Sequence, residues 1–156
     1  MNGDRVLTVE EMIVNGVKRL LVKDVNKLLE GLDFHVPCFE FGNHGGREAV
    51  VPGVALSSCE RTEKERVVFV DAYAVEITVP VEDIWGCDGE RLVFSYGAAI
   101  DGAVRLNGSL DGTVSRVVIT GKEFIPPKKP RCGDCWVLVM RLRVTVEGLA
   151  NDGERD

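Results

Sequence analysis

No run in this chain approaches the roughly 18 consecutive apolar residues that a membrane-spanning helix needs. Its first residues, Met1-Asn2-Gly3-Asp4-Arg5, carry no basic segment leading into a continuous apolar block. Neither a bilayer span nor a secretory leader is therefore expected, and cytoplasmic synthesis is. Concentrated positive charge is also missing: the formal net charge is −6 over 156 residues. A protein that grips phosphates by releasing their counterions carries a basic patch or stripe, so specific nucleic-acid binding is not expected. The one dense basic cluster, Lys128-Lys129-Pro130-Arg131, is short and reads as a solvated loop or a local docking patch.

The five cysteines, Cys38, Cys59, Cys87, Cys132 and Cys135, are an odd number in a chain without an export signal. A disulfide framework is a poor reading of that set and reduced thiols are expected. Catalytic patterns are equally scarce. Ser57 and Ser58 lack the Gly-x-Ser-x-Gly turn that exposes a hydrolase nucleophile. His35 borders an apolar segment and His44 sits among glycines, each without an identifiable nucleophile and carboxylate. Gly42 to Gly46 is no phosphate-binding loop, since no Lys-Ser or Lys-Thr follows it. No catalytic residue, no cofactor and no enzymatic activity are predicted. Cys132-Gly133-Asp134-Cys135 is the one motif with chemical potential, because two thiolates two residues apart can share a tetrahedral metal. It is half a zinc site, and no second paired motif completes it, so Cys132 and Cys135 read first as part of a turn.

What is present is the mixture of a soluble globular domain, with 45% apolar and 28% charged residues in a chain of single-domain length. Thr8-Val9-Glu10-Glu11 has the capping-box pattern. Apolar residues recur at helical spacing from Ile13 to Leu29, predicting a helix over 9–30 that ends at Gly31 with a left-handed cap. Phe34 to Phe41 reads as a strand that Pro37 confines to an edge. Val54 to Ser58 reads as a short apolar segment, and Glu60 to Arg66 as a charged hairpin tip. From Tyr73 to Val79 apolar residues alternate as in a half-buried strand, which Pro80 is expected to close.

A second helix is predicted over 89–106, with Asp88 as its cap, Glu90 at its positive end and Leu92, Tyr96, Ala99, Ile100, Ala103 and Leu106 on one side. Val114 to Thr120 reads as a strand and Gly121 to Gly133 as a proline-stiffened loop. Trp136 to Glu147 is the clearest strand, with Leu138, Met140, Leu142, Val144 and Val146 on one face. The order helix, strands, helix, two strands lacks the alternation of a parallel doubly wound sheet. It predicts an α+β fold with a mostly antiparallel sheet of four to five strands and two α-helices on one face. Residues 1–8 form an N-terminal extension, 9–148 a single domain and 149–156 a disordered polar tail.

The strand Ala72-Tyr73-Ala74-Val75-Glu76-Ile77-Thr78-Val79, the helix after it, the junction Asn107-Gly108-Ser109-Leu110-Asp111-Gly112-Thr113-Val114 and the final strand together carry a resemblance. Over residues 9–148 the chain resembles the tail terminator, or tail completion, proteins of long-tailed bacteriophages and prophages. The resemblance implies a structural protein that closes into a homo-oligomeric ring, typically a hexamer. Such a ring caps the tail tube at its head-proximal end, stops polymerisation and meets the head-tail connector. Its partners would be itself, the tail tube protein and the connector, first in the host cytoplasm and then in the virion. The long Gly42 to Arg66 region and the Cys132-Gly133-Asp134-Cys135 loop depart from the family's usual pattern. Exposed loops at Gly42 to Pro52 and Gly121 to Arg131 are the expected contact segments. In the second, Phe124 and Ile125 would be apolar anchors beside Lys128, Lys129 and Arg131. The alternatives are a metal-stabilised protein-binding module built on Cys132 and Cys135, or another phage neck or tail component.

Overall fold

The structure, a computed structural model, describes residues 6–42, 49–64, 68–82, 88–128 and 135–149. The expected α+β fold is present. Four strands, β3 (Gly53–Glu63), β4 (Val68–Glu82), β5 (Arg116–Ile125) and β6 (Cys135–Leu149), form an antiparallel sheet in the order β3-β4-β6-β5. A helical layer lies on one of its faces. Two further strands, β1 (Cys38–Phe39) and β2 (Ala49–Val50), pair in parallel beside it.

The first helix spans the predicted range in three pieces: α1 (Val9–Arg19), a π-helical segment (Leu20–Val25) and α2 (Asn26–Glu30). Its start is fixed by the predicted capping box. The Thr8 hydroxyl accepts from the Glu11 amide at 3.0 Å while the Thr8 amide donates to the Glu11 carboxylate at 2.9 Å. Ile13, Val17, Leu20, Leu21, Val25 and Leu29 are buried, so the helix keeps one core face through the change in winding. Gly31 does not take the left-handed cap; its φ is −82° and the last turn simply tightens.

The second long helix, α3 (Gly89–Leu106), matches its predicted bounds. Asp88 does not cap it with its side chain; its carbonyl instead accepts from the Leu92 amide at 2.9 Å. Leu106 is 79% exposed, against expectation, because it lies in the last turn off the side of the helix that carries Ile100; Val93 and Val104, on that side, are buried instead. Gly97 and Gly102 permit close approach. A Cβ at Gly97 would lie 3.4 Å from the Phe124 ring, and one at Gly102 3.4 Å from Leu28.

Several strand boundaries also differ. The segment from Phe34 to Phe41 contributes only β1, because its backbone is held by side chains instead of a ladder. Asn26 accepts from the Phe39 amide at 2.7 Å and donates to its carbonyl at 2.9 Å, and the Tyr96 hydroxyl donates to the Pro37 carbonyl. Pro80 does not end β4, which continues to Glu82. The ladder with β3 begins at Gly53 opposite Thr78, so beyond Thr78 the strand is paired with β6 alone and can place a residue lacking an N–H at a local edge. Gly121 does not begin a loop either. A bulge between Ile119 and Gly121 absorbs the irregularity, and β5 runs on to Ile125. Likewise Glu60 to Glu63 belong to β3, whose own bulge falls between Leu56 and Ser58. Residues 65–67 of the charged run, the Asn43 to Gly46 part of the glycine loop and 150–156 of the polar tail lie outside the described residues, while Leu149 closes β6.

Alternation along the two central strands decides which face is core. Tyr73, Val75, Ile77 and Val79 of β4 face the helices together with their partners Val144, Leu142, Met140 and Leu138 of β6, and all eight are buried. This is the period-two pattern of a sheet covered on one side.

Candidate interaction surfaces

The opposite face of the sheet is lined by the other half of each alternation. Ala74, Glu76 and Thr78 of β4 stand beside Arg143, Arg141 and Val139 of β6. Among the described residues no element covers this face. Its charges are largely compensated internally. Arg141 reaches across three strands, 3.4 Å from Glu76 on one side and 2.8 Å from Glu123 on the other. The hydrogen bond that Arg141 donates to Glu123 is the main cause that holds the guanidinium charge more firmly than usual. Lys64 and Glu147 pair at 3.5 Å farther along. Val139 is 8% exposed although it belongs to this face, since it lies on a central strand between Thr78 and Glu123.

At one end of the sheet, on the helix side, Asp71 is buried and bound through two hydrogen bonds of 2.6 and 2.8 Å to Arg61. Those bonds lower the carboxyl pKa against the opposing effect of burial. The guanidinium also lies 3.7 Å from the centre of the Phe69 ring. Nearby, burial raises the Tyr73 pKa, assisted by its 2.9 Å hydrogen bond to Glu10. Both arrangements tie β3 and the start of α1 to β4.

The segment predicted as a partner-binding loop is reorganised. Phe124 and Ile125 are strand residues. Phe124 is half-buried, fitting the notch left by Gly97 and meeting Phe94 edge-on at 5.1 Å between ring centres. Ile125 points from the other face and is 36% exposed, and Lys128 is exposed. Lys129 and Arg131 lie outside the described residues. The apolar contact residue that the sequence reading missed is Phe94, 50% exposed on α3, which forms a patch with Phe124. Its signal was a large aromatic one position off the buried stripe.

Cys135 begins β6 opposite Glu82 and is half-buried beside Pro37, Val50 and Tyr96. Cys132 and His44 lie outside the described residues. Among the described residues no three His, Cys, Asp or Glu side chains gather as a metal site. His35 lines a shallow pocket with Leu29, Phe34 and Cys38.

Both outer strands are long. β3 has seven consecutive exposed residues from Ser57 to Glu63. β5 borders a groove of about 510 Å³ lined by Asp101, Val104, Arg105, Arg116, Val117 and Ile119. Comparison with protein-family models and with curated proteins finds no match for this chain.

Proposed function

We propose that the chain is a structural virion-assembly protein of a long-tailed bacteriophage or prophage. On this reading it closes into a ring, typically of six copies, caps the tail tube at its head-proximal end, ends polymerisation and joins the tube to the head connector. Its role is to bind, and no reaction is assigned to it. The observation that carries the reading is the one-sided layering: among the described residues both long helices cover one face of a four-stranded sheet and leave the other as an uncovered polar wall. A wall of that kind suits the inner surface of a ring. The resemblance carried by the Ser109-Leu110-Asp111-Gly112-Thr113-Val114 junction, β4 and β6 supplies the phage context.

The charge of the uncovered face fits passage of DNA without capture. Its arginines Arg116, Arg141 and Arg143 are accompanied by Glu60, Glu76, Glu123 and Glu147, and Arg141 is already engaged by two of these carboxylates. Such a surface does not present the free basic stripe that phosphate binding requires.

Light scattering coupled to size exclusion, followed by negative-stain imaging, tests the ring. The expected result is a particle near six times the 17.1 kDa chain mass with a central opening, in solution or at the end of tail tubes. A protein that stays monomeric and leaves tube ends bare would sink the reading.

A further inference from the structure

We draw no further inference here: the strongest candidate, the apolar cavity of about 430 Å³ that Pro37, Val50, Val81, Leu92, Tyr96 and Cys135 line between β2, the end of β4 and α3, carries nothing because no observation among the described residues shows what covers it.

Discussion

Replacing Tyr96 with Ala is expected to lower the unfolding free energy by about 3–5 kcal/mol, the range for deleting a buried aromatic. Among the described residues Tyr96 is the largest fully buried side chain, at 0% exposure. Its ring stacks on Phe39 with 4.9 Å between centres and an interplanar angle of 26°. Its hydroxyl also donates to the Pro37 carbonyl, so one residue of α3 holds both the ring and the backbone of the segment leading into β1. The loss therefore combines a cavity, a stacking contact and an orphaned acceptor. Tyr96→Phe separates them: it keeps the ring and should cost only about 1 kcal/mol, the net worth of one hydrogen bond. Urea denaturation followed by circular dichroism measures both. An Ala variant that loses less than the Phe variant would contradict the placement of this ring.

Leu110→Ala is the second large effect, at about 2–5 kcal/mol for truncating a buried leucine. Leu110 is 1% exposed and sits in the turn between α3 and β5 with φ of +51°, followed by Asp111 at +58°. Two successive non-glycine residues in the left-handed region cost free energy that their surroundings must offset. Those surroundings are specific. Leu110 lies so close to α1 that a Cβ on Gly16 would fall 3.3 Å from its Cδ1. The Asn107 side chain accepts from the Asp111 amide at 2.8 Å and donates to Asp24 at 2.9 Å, and Arg19 lies 3.7 Å from Asp111. Leu110→Gly removes the same contacts but relieves the backbone, so it should be less harmful than a cavity of that size suggests. A Leu110→Gly loss equal to or greater than that of Leu110→Ala in thermal or urea unfolding would show that backbone strain is not part of the turn's energetics.

This turn shows where sequence reading reached the fold and where it stopped. Asn107 to Val114 was legible as a junction from its composition, but its attachment to the first helix through Asp24 and Gly16 depends on residues far away in the chain. The helix start at Thr8 and the alternation of β6 were legible because a cap needs three residues and a pleat needs two. Pro80 and Gly121 misled because each was judged locally. Whether Pro80 ends β4 depends on where β3 begins, and whether Gly121 breaks β5 depends on a bulge whose partner strand lies beyond the next loop. The π-helical segment left no mark on the apolar spacing, since Leu20, Leu21 and Val25 remain buried through it.

The interaction surfaces were the least legible. The resemblance directed attention to the loop after β5, yet Phe124 belongs to a strand and shares its exposed surface with Phe94 from a helix. The two outer edges are invisible in sequence because strand order is a property of the assembled sheet: β6, the last strand among the described residues, lies between β4 and β5.

The most direct test of the central claim is to add the purified chain, gold-labelled through an appended tag, to growing tail tubes of a long-tailed bacteriophage, and to image them. The account predicts label at one end of each tube, tubes that stop lengthening, and no label along their sides. Tubes that keep growing with unlabelled ends would contradict it.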